Sequence, residues 1–159
     1  LAVINKGRIR LPTRIEVSLR DRFPGDPVIA EQPHREVVGR YINLSVERLV
    51  IPHYPRDPAM RQKLKALAVR AATQARDVFD LHILAGGDVR NADLPFLRKA
   101  LTKAELQEAS ARALGVTYSQ FRDQVLEFLP ETERDALDEM SWEQRQLFVV
   151  ELVEGILRS

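Results

Sequence analysis

Charged residues in the segment from Met60 to Gly87 have types and spacing that could support chemistry. Lys63, Arg70 and Asp77 are seven residues apart, and Asp80 follows three residues later. On one continuous helix, seven residues cover almost two turns, so these side chains would form one polar stripe with about 20° of drift per step. Such a stripe can bind a ligand, or its members can pair as ordinary surface ion pairs. Spacing alone leaves both interpretations open.

The apolar residues of the same segment predict a buried helix face opposite the charged stripe. They stand at helical spacing, with alanines between them, at Leu64, Leu67, Val78, Leu81 and Leu84. Asp57-Pro58 is a helix start signal, and Gly86-Gly87 is a stop signal. Residues 59–86 are therefore predicted to form one long helix or two nearly collinear helices.

Composition and motifs exclude several classes of protein. The chain has 159 residues, enough for one domain with a hydrophobic core, and no cysteine, so disulfides and thiolate metal sites are excluded. The longest apolar stretch, residues 147–157, is interrupted by Glu151 and Glu154, so no membrane span is predicted. GxSxG, GxGxxG and Walker motifs do not occur, and the three histidines lack metal-ligand spacing. A cytoplasmic location is the expectation from these features.

The net charge of +1 conceals an uneven distribution of charge along the chain. Residues 1–76 contain 15 Lys and Arg against 7 Asp and Glu, a net of +8. Residues 77–159 contain 9 against 16, a net of −7. A basic half of this density can attract phosphates, or it can face the acidic half within the fold or across a dimer.

The chain divides into two parts that differ in secondary structure. Residues 1–58 hold seven of the nine prolines and short runs of alternating apolar and polar residues, of which Arg14–Arg20 is the clearest strand. Residues 59–159 contain helix start signals, including the capping boxes Thr102-x-x-Glu105 and Thr117-x-x-Gln120. The predicted class is α+β, with a small sheet at 1–58 and a helical bundle at 59–159 packed on it as one compact unit.

Four short segments together resemble the abortive-infection nucleotidyltransferase toxin family of the AbiEii/AbiGii type. The family's K-L-x-A-L-x-x-R segment is matched at residues 63–70, and its R-D-L-Y-D-L segment at residues 76–81, which read RDVFDL. Residues 44–49, LSVERL, look like its short segment before the helix, and residues 14–18, RIEVS, look like a strand of its catalytic sheet. The resemblance extends over about residues 8–85.

The resemblance implies a polymerase-beta-like nucleotidyltransferase centre and a role for each charged residue. Lys63 and Asp80 would be catalytic, and Glu16 on its strand would be a metal ligand. The residues that would bind the nucleotide are Lys63, Arg70, Arg76 and Asp77, with Arg76 and Asp77 equally able to brace the helix against the sheet. Mg²⁺ and a nucleoside triphosphate are the implied cofactor and substrate. The strands of residues 1–58 would be the remnant of the nucleotidyltransferase β-sheet.

The resemblance also implies partners and a biological setting. The expected acceptor is RNA, with tRNA as one candidate, and the expected partner is an antitoxin in a toxin–antitoxin or phage-defence system. The family's Gly-Gly-Ser/Thr turn and paired D-x-D carboxylates do not occur in this sequence. We therefore expect them upstream in a longer protein, and expect residues 1–159 alone to be inactive. The alternative function is a non-catalytic basic module that binds nucleic acid or an acidic protein.

Overall fold

The computed structural model describes residues 2–4, 10–12, 29–31 and 51–159 of the chain. Glu16, the predicted metal ligand, lies outside these residues, as do the predicted strand at residues 14–20 and the LSVERL segment at residues 44–49. The expectations attached to them stay predictions.

The described part of the first 58 residues contains four short strands in two antiparallel pairs. Strand β1 (Ala2–Ile4) pairs with β2 (Arg10–Pro12), with Val3 opposite Leu11. Strand β3 (Ile29–Glu31) pairs with β4 (Ile51–His53), with Ala30 opposite Pro52. All four strands lie within residues 1–58, the part of the chain in which the sequence predicts a small sheet.

The remainder of the chain is helical from Arg56 onward. Its order is α1 (Arg56–Val69), α2 (Ala75–Leu84), a 3₁₀ turn (Val89–Asn91), α3 (Leu94–Arg98), α4 (Lys103–Gly115), α5 (Tyr118–Gln124), a second 3₁₀ turn (Leu126–Phe128), α6 (Glu131–Arg134) and α7 (Glu139–Arg158). The described residues are mostly helical, and the short strands are compatible with the predicted α+β class. None of the helices in the described ranges is long and apolar enough to cross a membrane.

The predicted long helix over residues 59–86 is wrong, because the chain leaves the helix at Arg70 and folds back. Arg70 has an extended backbone (φ −69°, ψ 140°), and α2 begins only at Ala75. One ion pair joins Arg70, at the end of α1, to Asp77, near the start of α2. Another joins Lys63, earlier in α1, to Asp80, later in α2. The two helices therefore form an antiparallel hairpin and are not collinear.

Distant residues satisfy the backbone groups that the break exposes. The carbonyl of Arg70 accepts a hydrogen bond from the guanidinium of Arg112 in α4. The N–H of Ala75, at the start of α2, donates to Oε1 of Gln124 at 2.8 Å. Unpaired backbone groups at helix ends are costly when buried, so these two side chains compensate for the hydrogen bonds lost at the break.

Helix α4 lies beside α1 and runs in the same direction. Its N-terminus has the predicted capping box, in which Thr102 and Glu105 bond to each other's backbone N–H. Lys65 of α1 pairs with Glu105, and Arg112, two turns later, bonds to the carbonyl of Arg70. Both helices therefore end at the same level of the structure.

The hydrophobic core lies between these helices and the long C-terminal helix α7. Trp142 of α7 is stacked on Phe121 of α5, with ring centroids 4.4 Å apart and planes 13° apart. Leu64, Leu67 and Leu81, predicted from the helical pattern to be buried, are fully buried in this core. The packing of the helical hairpin against α4 and α7 gives its charged residues fixed positions.

Candidate functional site

Asp77 is the buried centre of a charged cluster between α1 and α2. Its side chain is 0% exposed and stands in the first turn of α2. One carboxylate oxygen accepts from Lys63 Nζ at 3.3 Å, and the other accepts from Arg70 at 2.5 Å. A buried carboxylate requires such partners, because without them the loss of hydration is not compensated.

Asp80 completes the cluster at its surface. Its Oδ2 lies 2.6 Å from Lys63 Nζ, so the ammonium group is held between two carboxylates. The side chains of Lys63, Arg70 and Asp80 are 29%, 26% and 38% exposed. A ligand therefore meets two cations and one carboxylate, while Asp77 lies beneath them.

The helical geometry of α2 explains why Asp77 and Asp80 act together and Arg76 does not. Residues three apart lie on the same helix face, so both carboxylates point toward α1. Arg76 precedes Asp77 by one position, about 100° around the helix, and its side chain is exposed. Arg76 forms no hydrogen bond or ion pair with any other residue in the described ranges.

The structure brings together four of the six residues that the sequence analysis selected. Lys63, Arg70, Asp77 and Asp80 form the cluster, Arg76 stands apart, and Glu16 lies outside the described residues. Their catalytic and nucleotide-binding roles stay predictions. Within the described ranges, no three His, Asp or Glu side chains are grouped so that they could hold a metal ion.

Arg112 contacts the backbone of Arg70, and the sequence did not indicate this residue as part of the site. Its Nε donates to Glu108 at 2.5 Å, and its Nη1 donates to the carbonyl of Arg70. The Glu108–Arg112 spacing of four residues predicts a helical ion pair. Nothing in the sequence indicates the contact with Arg70, because 42 residues separate the two positions.

The opposite face of α2 carries His82, which lies against α7. Its ring meets Phe148 edge-on, with centroids 5.2 Å apart, and its Nδ1 is buried without a hydrogen bond to any described residue. Burial lowers the pKa of His82 below its usual value of 6.5, and the positive charge of Arg145 lowers it further. His82 is therefore a neutral residue at pH 7, at the boundary between α2 and α7.

The lowered pKa of His82 predicts that acid destabilises the fold. A histidine with a lower pKa in the folded state binds fewer protons there than in the unfolded state, so the free energy of unfolding decreases as pH falls below about 6.5. In chemical denaturation at pH 7.5 and pH 5.5, the His82→Phe variant should lose less stability than the wild type. Equal losses for the two proteins would contradict the assignment.

Sequence comparison identifies the class of protein and then the family. The class is nucleotidyltransferase toxin, and the match is to the family described as "Nucleotidyl transferase AbiEii toxin, Type IV TA system", over residues 2–154. The chain belongs to this family. The resemblance seen in the sequence is therefore confirmed, and the match also covers the helices after residue 85, which carried no part of that resemblance.

The family assignment supports a transferase class and an antitoxin partner at the family level. No curated protein and no solved structure matches this chain. Residue roles therefore depend on the geometry of the cluster and on the chemistry that the family performs.

Proposed function

We propose that the protein carrying this chain is a toxin that transfers a nucleotide from a nucleoside triphosphate to an RNA acceptor. The observation that supports this most strongly is the pair of cations, Lys63 and Arg70, held together at the surface by the buried carboxylate of Asp77. Nucleotidyl transfer requires donors that are already in position when charge develops on the triphosphate, and this arrangement supplies two.

Lys63 and Arg70 have unused hydrogen-bonding capacity for phosphate oxygens. Lys63 donates one hydrogen bond, to Asp77, and forms an ion pair with Asp80, while Arg70 makes one side-chain hydrogen bond, to Asp77. Each side chain is partly exposed, so a phosphate can approach without the fold opening. In this proposal Lys63 binds the triphosphate as a point charge, and Arg70 binds it through its planar fork.

Asp77 and Asp80 have different roles in the proposal. Asp77 is fully buried and cannot touch the substrate, so it is a positioning residue for both cations. Asp80 is exposed beside Lys63, so it can orient Lys63 or the acceptor hydroxyl directly. Arg76 is the weakest candidate for nucleotide binding, because no hydrogen bond or ion pair with a described residue fixes its side chain.

The proposed Mg²⁺ requirement depends on residues outside the described ranges. Asp77 and Asp80 are committed to cations, and the described carboxylates form no group suited to a divalent metal. Glu16 remains the proposed ligand because of the family resemblance. When bound, Mg²⁺ would neutralise charge on the phosphates.

The proposed acceptor is RNA, with tRNA as one candidate, and the antitoxin is the proposed partner. A non-catalytic basic module is less well supported, because the cations of the cluster are matched by two carboxylates and give no net positive charge. Such a neutral cluster suits a defined phosphate contact better than general attraction to nucleic acid.

Incorporation of labelled nucleoside triphosphate into RNA by the full-length protein tests the proposal. Each of the four triphosphates should be offered with total RNA in the presence of Mg²⁺. Asp80→Ala should lower incorporation at least about 100-fold, because Lys63 loses the partner that orients it or the acceptor loses its positioning group. Asp135→Ala, at an exposed carboxylate in the loop after α6, is the matched control. RNA binding without incorporation would favour the binding module.

A further inference from the structure

A groove opens beside the charged cluster, where α1 and α4 end and α5 begins. Its volume is about 490 Å³, within the range of small-molecule sites. Thr73, Arg112 and Gln120 contribute polar groups to its lining, and the small side chains of Ala72 and Ala111 leave it open.

The guanidinium group of Arg112 lines the groove in a fixed position, and its charge is balanced by a neighbouring carboxylate. The guanidinium bonds to Glu108 at 2.5 Å and to the carbonyl of Arg70, so two groups hold its plane. Glu108 also neutralises its charge. A neutral planar ligand is therefore favoured here over an anion, because guanidinium planes stack well on heterocyclic bases.

Uncommitted hydrogen-bonding groups in the lining indicate what else the ligand must offer. The side-chain carbonyl oxygen of Gln120 accepts a hydrogen bond from the backbone N–H of Thr117. The side-chain NH₂ of Gln120 remains available. The hydroxyl of Thr73 and the Nη2 group of Arg112 form no hydrogen bond with any residue in the described part of the chain. The ring nitrogens, carbonyl oxygens and ribose hydroxyls of a nucleoside are suitable partners for such donors.

Arg70 connects the groove to the charged cluster. Its backbone carbonyl contacts Arg112 in the groove wall, while its side chain bonds to Asp77. A neutral recess beside two cations matches the two parts of a nucleotide, a neutral nucleoside and an anionic phosphate chain.

We propose that this groove binds the nucleoside part of a nucleotide whose phosphates contact Lys63 and Arg70. The contact of the phosphates with Lys63 and Arg70 rests on the proposed function. The nucleoside can come from the incoming triphosphate or from the terminal nucleotide of the RNA, and binding measurements with each ligand distinguish these sources.

Gly115 provides a substitution that should fill the groove without disturbing the fold. It lines the groove, its φ is not positive, and an added Cβ would meet nothing within 4 Å. Gly115→Leu should therefore project a side chain into the groove, with an unchanged or raised melting temperature. The matched control is Ala104→Leu, which adds similar bulk at an exposed position of the same helix.

Dissociation constants for the full-length protein test the proposal with four probes. These are a nucleoside triphosphate, the corresponding nucleoside, inorganic tripolyphosphate and a short single-stranded RNA. Gly115→Leu should weaken the binding of the nucleoside, and of either the triphosphate or the RNA, at least 10-fold. It should leave the binding of tripolyphosphate unchanged. Ala104→Leu should change none of them. Weaker binding of the triphosphate would show that the nucleoside belongs to the incoming nucleotide. Weaker binding of the RNA would show that it belongs to the terminal nucleotide of the RNA.

The outcomes separate this inference from the proposed function. Unchanged binding of every probe by Gly115→Leu, in a folded protein, would overturn the groove assignment even if transfer activity is present. Weaker nucleoside binding by Gly115→Leu, together with no transfer activity in the wild-type full-length protein, would support the groove and overturn the proposed reaction.

Discussion

Replacing Asp77 with alanine should lower the free energy of unfolding by about 2–3 kcal/mol. Asp77 is fully buried and bonds to both Lys63 and Arg70, so its removal leaves two cations facing each other across an empty position. Both cations are partly exposed, and water screens part of their repulsion, so the expected loss is below that of a fully buried pair. The melting temperature should fall by about 5–10 °C.

The matched control for Asp77→Ala is Arg76→Ala, one position earlier on the same helix. Arg76 is exposed and forms no hydrogen bond or ion pair with a described residue, so its replacement should change the free energy of unfolding by less than about 0.5 kcal/mol. Urea denaturation of both variants measures the difference. Equal stabilities of the two variants would show that Asp77 does not hold the hairpin together.

Replacing Lys63 with alanine should lower kcat/KM for nucleotidyl transfer by about 100- to 1,000-fold or more, the usual effect of losing one charged donor to a transition state. The fold should remain, because Asp77 keeps Arg70 as its partner and the Lys63 side chain is partly exposed. The expected loss of stability is about 1 kcal/mol or less.

Lys65→Ala is the matched control for Lys63→Ala. Lys65 lies on the same helix, but its ion pair is with Glu105 of α4, away from Asp77 and Asp80. Its replacement should reduce stability slightly and leave kcat/KM within about twofold of wild type. Activity and melting temperature should be measured for both variants. Near-normal transfer by Lys63→Ala, or loss of activity through unfolding, would make the charged cluster purely structural.

Local rules applied to the sequence identify much of the helical part of the structure. The capping boxes at Thr102 and Thr117 are present as predicted, because they depend only on residues three positions apart. Gly86 and Gly87 end the hairpin's second helix with φ of 61° and 73°, values that favour glycine. The position of Asp77 and Asp80 on one face of α2 likewise follows from helical geometry.

The way in which the charged residues meet is not contained in those local rules. The sequence selects Lys63, Arg70, Asp77 and Asp80 because of their spacing on one continuous helix, but the structure joins them across two antiparallel helices. Lys63 and Asp80 are 17 positions apart in the sequence, so along a continuous helix they would be separated by about 25 Å. In the hairpin their charged atoms lie 2.6 Å apart.

Tertiary contacts decide where the helix breaks. Residues 71–75 read AATQA and carry no glycine or proline, so helix propensity predicts continuation. The break is stabilised by Arg112 at the carbonyl of Arg70 and by Gln124 at the N–H of Ala75, residues that lie 42 and 49 positions away from their partners. The sequence by itself therefore determines which residues could act in the site, and only the packing of α4 and α5 against the hairpin brings them together.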